Sequence, residues 1–135
     1  MNNEYHVLVI NPGSTSTKLT FFRNEHMLLQ ETIFHSSQSL SSFKHIVDQY
    51  EFRLNIILEF LKKKKIDLNI IDVIVGRGGL LRPLESGTYQ VNTKMLNHLK
   101  KGKYGEHASN LGALLAYQIA KKTSIPSYIV DPVVV

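Results

Sequence analysis

The chain contains no cysteine. Disulfides and thiolate metal centres are therefore excluded, and a reducing cytoplasm is the expected compartment. No apolar run approaches the roughly 20 residues that a helical membrane span requires. The opening residues, MNNEYHVLVI, lack a basic region followed by a long apolar core, so no secretory signal is expected. There is no internal repeat and no low-complexity tract. Two nucleotide-binding signatures are also missing. No Gly-Lys-Ser/Thr stands at Walker A spacing, and Gly76-Arg77-Gly78-Gly79 lacks the final spaced glycine of the dinucleotide fingerprint.

What is present is ordinary in amount. The 135 residues are 43% hydrophobic and 20% charged, enough for one domain with a real core. The formal net charge of +5 raises the question of nucleic acid. Its distribution answers against it. Lys62 to Lys65 close a predicted helix, where cations suit the dipole and water. Lys100, Lys101 and Lys103 are expected in a loop, and neither cluster is interleaved with aromatics as a single-strand platform would be. Neither nucleic acid nor a membrane is expected as a partner.

The most informative stretch is residues 7–22, VLVINPGSTSTKLTFF. Val7 to Ile10 read as a buried strand that stops at Asn11. Pro12, Gly13, Ser14, Thr15 and Ser16 then make a tight turn, and Lys18 opens a second strand. Gly13 allows close backbone approach, and successive N–H groups in such a turn form a donor nest for an anion. The plain alternative is a hairpin turn that binds nothing. Lys18 is either a point charge for the anion or a solvated strand residue.

Residues 5–10, 17–23 and 26–34 read as three strands in an antiparallel meander. A helix is expected over Phe43 to Leu61, with Phe43, Ile46, Val47, Tyr50, Leu54, Ile57, Leu58 and Leu61 on one apolar face. A short strand, Val73 to Val75, precedes Gly76. The Pro83 region and Thr88 to Val91 suggest a small hairpin. Asn92 caps a short helix through about Leu99. A second long helix is expected over Glu106 to Thr123, ended by Pro126. Ser127 to Val130 make the last strand.

This order implies an α/β fold: a mixed five-stranded sheet, its first three strands antiparallel and its last two parallel, flanked by helices. Ligands in open α/β sheets bind beyond the carboxyl ends of parallel strands. Asn11, Arg77 and Asp131 each follow such a strand, so the three are expected at one cleft. Arg77 offers a planar fork for carboxylate or phosphate oxygens; its bland alternative is a surface arginine in a turn. Asp131 is either a ligand for hydrated magnesium or the start of a turn before Pro132. His107 stands at a helix start, where local hydrogen bonds alone would also account for it. His6, His26, His35, His45 and His98 show no metal-ligand spacing and are expected to be surface or structural.

Four segments, VINPGSTSTK, VGRGGLLRP, GEHASNLGALLAYQIA and YIVDPVVV, together resemble the butyrate kinases, relatives of acetate kinase. The resemblance runs from Val7 to Val135. It implies a ribonuclease-H-like sheet of the sugar-kinase and actin type, forming half of a two-domain fold. It also implies ATP/ADP and Mg2+ as cofactors, a short-chain carboxylate or acyl phosphate as substrate, and a homo-oligomer at full length. By motif, Asn11, Gly13, Ser14, Ser16 and Lys18 match the phosphate loop. Arg77 matches the active-site arginine, His107 a histidine that stabilises the transferring group, and Asp131, with Asn11, the magnesium site. Family members are more than twice as long, so residues 1–135 are expected to be the N-terminal domain of a longer kinase and inactive alone. A kinase for another short or branched acid and a non-catalytic phosphate- or nucleotide-binding module are the remaining readings.

Overall fold

The computed structural model describes residues 4–77, 80–81, 88–102, 107–130 and 133–134; of 80, 81, 88, 133 and 134 the backbone alone is considered. Strands β1 (His6–Pro12), β2 (Ser16–Arg23) and β3 (His26–Phe34) open the chain. Helices α1 (Ser37–Leu40) and α2 (Tyr50–Lys63) lead to β4 (Val73–Arg77). Then come β5 (Leu80–Leu81), β6 (Thr88–Gln90), α3 (Thr93–Lys101), α4 (Asn110–Lys122), β7 (Ser127–Val130) and β8 (Val133–Val134).

The main sheet has the order β3-β2-β1-β4-β7-β6. β1 is antiparallel to β2 and β2 to β3, whereas β1, β4 and β7 run parallel. The expected mixed α/β sheet is therefore present, with its antiparallel meander and two further parallel strands. The structure adds a sixth strand. Thr88–Gln90 lies antiparallel to β7, and the Val91 N–H donates to the Ser127 carbonyl at 3.0 Å; the Pro83 half of the expected hairpin lies outside the described residues. β5 pairs with β8 in a separate two-stranded parallel sheet.

Alternation along the strands selects the core face. Leu8 and Ile10 of β1, Leu19 and Phe21 of β2, Ile74 of β4 and Ile129 of β7 are buried. Ile57, Phe60 and Leu61 of α2 and Leu111, Leu115 and Ile119 of α4 pack against them. Each such side chain stabilises the fold by about 1.5–3 kcal/mol relative to exposure. The opposite sheet face carries Val7, Val9, Val75 and Val130, all partly exposed among the described residues.

Two helices start later than their periodicity suggests. The expected helix from Phe43 begins at Tyr50, after a 3-10 turn over Ile46–Gln49. The His45 N–H donates to the Asp48 carboxylate at 3.0 Å, which ends the preceding loop there. The helix expected from Glu106 begins at Asn110, because the Asn110, Leu111 and Gly112 N–H groups reach back three residues rather than four. Conversely, α3 runs through Lys101, so Lys100 and Lys101 lie in its last turn and not in a loop. Asn92 caps α3 as expected, accepting from the Met95 N–H at 2.8 Å.

Candidate functional site

The turn from Asn11 to Ser16 is held by its carbonyl groups. The Gly13 N–H donates to the Ser16 carbonyl at 2.7 Å, closing the loop. A methyl group on Gly13 would stand 3.1 Å from Ser16 Oγ, so glycine fits the tight passage. The Thr15 carbonyl accepts from the His35 N–H at 2.8 Å. The Ser16 and Ser14 carbonyls accept from Arg53 Nη1 at 2.8 Å and Nη2 at 3.4 Å. In a trans peptide the N–H points opposite to the C=O. The N–H groups of Ser14 and Thr15 meet no acceptor among the described residues, and both residues are exposed. Free amides in a turn are suited to an anion.

Strand register brings Asn11, Lys18 and Arg77 together. Asn11 is paired with Lys18 across β1 and β2. Ile10 is level with Gly76, so the next residues, Asn11 and Arg77, adjoin at the carboxyl ends of parallel strands. Arg77 is in turn level with Val130. Asn11, Lys18 and Arg77 border one concave space of about 500 Å³ whose floor includes Val7, Val9 and Val75. Lys18 thus lies on the same side as Asn11. Neither Lys18 nor Arg77 forms an ion pair among the described residues, which leaves this edge electropositive. Asp131 directly follows Val130 but lies outside the described residues, as do Gly78 and Gly79.

α4 approaches the same edge through paired glycines. A Cβ on Gly76 would fall 2.3 Å from the Gly112 carbonyl oxygen, so strand and helix meet backbone to backbone. This brings the first turn of α4 to the end of β4. His107 lies just before that turn and is exposed. Its Nδ1 accepts from the Ser109 N–H at 3.1 Å and lies 2.7 Å from Ser109 Oγ. A backbone N–H can only donate, so Nδ1 is the acceptor in this contact and Nε2 is the ring nitrogen left to donate.

The turn's support escaped the sequence reading. Arg53 and His35 are buried, and Thr17 Oγ1 lies between them, 3.3 Å from Arg53 Nη1 and 2.8 Å from His35 Nε2. Burial pushes the Arg53 guanidinium down to about 10, still well above neutrality, so it remains charged. Burial, and secondarily the Arg53 charge, lower the His35 pKa and favour a neutral imidazole. One signal was available: Arg53 sits three residues after Tyr50 and four before Ile57, on the apolar stripe itself.

Hydrated magnesium would keep several of its waters and take few oxygen ligands from the protein. Of the oxygen-bearing side chains that could hold it, Asn11 borders the concave space and Ser14 is exposed on the adjoining turn. No cluster of three His, Asp or Glu side chains suited to a closed metal cage occurs among the described residues.

No protein-family model matches the chain. Butyrate kinase 2 of Clostridium acetobutylicum is 54% identical over 132 residues, 98% of this chain and 37% of the relative. The chain thus spans little more than a third of that relative's length. Acetate kinase of Porphyromonas gingivalis superposes with a TM-score of 0.56 at 16% identity, over 93% of this chain and 37% of that structure. An exopolyphosphatase of Cytophaga hutchinsonii superposes with a TM-score of 0.55 at 12% identity, over 96% of this chain and 54% of that structure. At such identities these superpositions establish the fold. The chain has the ribonuclease-H-like mixed sheet of the acetate kinases, and its resemblance to butyrate kinase extends over nearly every residue it contains.

Proposed function

We propose that this chain forms one wall of a site at which a phosphoryl group passes between ATP and the carboxylate of butyrate or a related short-chain fatty acid. The activity belongs to a protein of the relative's full length, in which residues 1–135 are the N-terminal domain. The observation that carries this reading is the shared border of Asn11, Lys18 and Arg77 beside the free amides of Ser14 and Thr15. It supplies what phosphoryl transfer needs from a protein: alignment and positive charge around the moving group. A carboxylate oxygen attacks the γ-phosphorus, the bond to the bridging oxygen breaks, and ADP leaves as acyl phosphate forms.

In this reading Arg77 clamps the substrate carboxylate and the transferring group. His107 donates from Nε2 to the charge that develops there. Asn11, Ser14, Ser16 and Lys18 orient phosphate oxygens, with Gly13 allowing their close approach. Asp131 and Asn11 hold hydrated Mg2+, which neutralises phosphate charge when bound. The protein acts in the cytoplasm, as a homo-oligomer at full length, without nucleic acid or membrane. Residues 1–135 alone bind phosphate without turnover.

A hydroxamate assay of the full-length protein with ATP, Mg2+ and a series of short fatty acids tests this. Acyl hydroxamate from butyrate or a near neighbour is expected. Absence of product from every acid, with the protein folded, rejects the kinase reading. Robust turnover by residues 1–135 alone rejects the division of labour between the two parts.

A further inference from the structure

Arg53 is fully buried, yet every acceptor around it is neutral. Gln49 Oε1 accepts from Nε at 3.1 Å and from Nη2 at 2.8 Å. The remaining contacts are the Ser14 and Ser16 carbonyls and the Thr17 hydroxyl. No carboxylate pairs with it among the described residues. Burying a charge without a counter-charge is costly, and removing water from a guanidinium costs several kcal/mol even after relaxation. A turn that needed only fastening could be held by a neutral side chain. The chain instead keeps a positive charge directly behind the exposed side of the Asn11–Ser16 turn.

We propose that Arg53 is the positioning residue of the anion-binding turn: it draws the Ser14 and Ser16 carbonyls inward, sets the Thr15 N–H outward, and keeps an uncompensated cation behind the bound phosphate. Arg53 does not touch the anion. It acts through the peptide groups it grips and through its field, which a low-dielectric interior screens weakly. Gln49 sits one helical turn earlier on the same approach and holds two of the three guanidinium nitrogens, so it fixes the fork. An anion on the turn supplies the missing negative charge, and binding is thereby coupled to a residue on α2 that forms no part of the cleft wall. This inference rests on the turn's binding phosphate, as proposed above.

The test follows the backbone amide resonances of the isotope-labelled chain during titration with inorganic pyrophosphate, alongside thermal unfolding of each protein. In the wild-type chain the Ser14 and Thr15 amides are expected to shift saturably. Arg53→Met is expected to raise the apparent Kd about ten-fold, equivalent to about 1.4 kcal/mol, and Arg53→Lys to fall between. Gln49→Leu leaves the charge but loosens the fork, and is expected to weaken binding to a smaller extent. It decides the matter where Arg53→Met does not fold. Folded variants that melt lower but bind pyrophosphate with unchanged Kd would overturn the proposal, since Arg53 would then serve stability alone. A wild-type chain whose Ser14 and Thr15 amides do not respond overturns the anion-site reading itself, and the role of Arg53 with it.

Discussion

Gly76 of β4 and Gly112 of α4 lie back to back: a Cβ on either would fall 2.2–2.3 Å from a backbone carbonyl oxygen of the opposite element. That contact sets the distance between Arg77, the next residue of β4, and the helix start that follows His107.

Gly112→Ala therefore opposes two effects. Alanine in a helix interior gains about 1 kcal/mol of propensity over glycine. The clash with the Arg77 carbonyl is with backbone and forces α4 off the sheet, an overpacking that costs about 1–3 kcal/mol or more. We expect the clash to win and the melting temperature to fall by several degrees. A calorimetric midpoint at or above the wild-type value contradicts this account of the interface.

Arg77 is exposed and forms no ion pair among the described residues. In the proposed kinase reading its loss leaves the fold intact but removes a charge clamp from the transition state. In the full-length protein Arg77→Ala is expected to lower kcat/KM by about a hundred-fold or more. Arg77→Lys, which keeps the charge but not the fork, should lie between. Near-wild-type turnover by Arg77→Ala removes the residue from the site.

His35 makes stability depend on pH. Burial, and then the Arg53 charge, hold its pKa below 6.5 in the folded chain. The unfolded chain thus binds a proton that the folded chain does not. Its contribution is complete above about pH 6.5, the unfolded value, and is lost as pH falls from there toward the folded pKa. His35→Phe should flatten this part of the curve. Denaturant unfolding of both proteins between pH 8 and 5 tests it; parallel curves count against a buried neutral imidazole.

Asn92 caps α3 through the Met95 N–H. Asn92→Ala should cost about 1 kcal/mol, felt first as faster amide exchange along α3. Unchanged exchange there shows that packing of Met95, Leu96 and Leu99 holds the helix without its cap.

Some of this was written in local pattern. Strands β3 and β7 have the bounds that their residues suggest, because alternation and flanking turn residues are local signals. The Asn92 cap is equally local. The adjacency of Asn11 and Arg77 was legible at one remove, through the rule that parallel strands present their ends at one edge. The side on which Lys18 falls was not legible. It depends on the pairing of Lys18 with Asn11, and a shift of one residue reverses it.

The amino-acid order by itself determined which residues alternate into the core, where turns interrupt the strands, and that a hydroxyl-rich turn follows the first of them. Tertiary structure decided the rest: the sixth strand's place beside β7, the contact of Gly76 with Gly112, and the use of Arg53. The reason is physical. Periodicity specifies that a face is buried, but apart from Gln49, one helical turn away, the acceptors waiting for the buried guanidinium lie 36–39 residues away along the chain. Only folding brings them within reach.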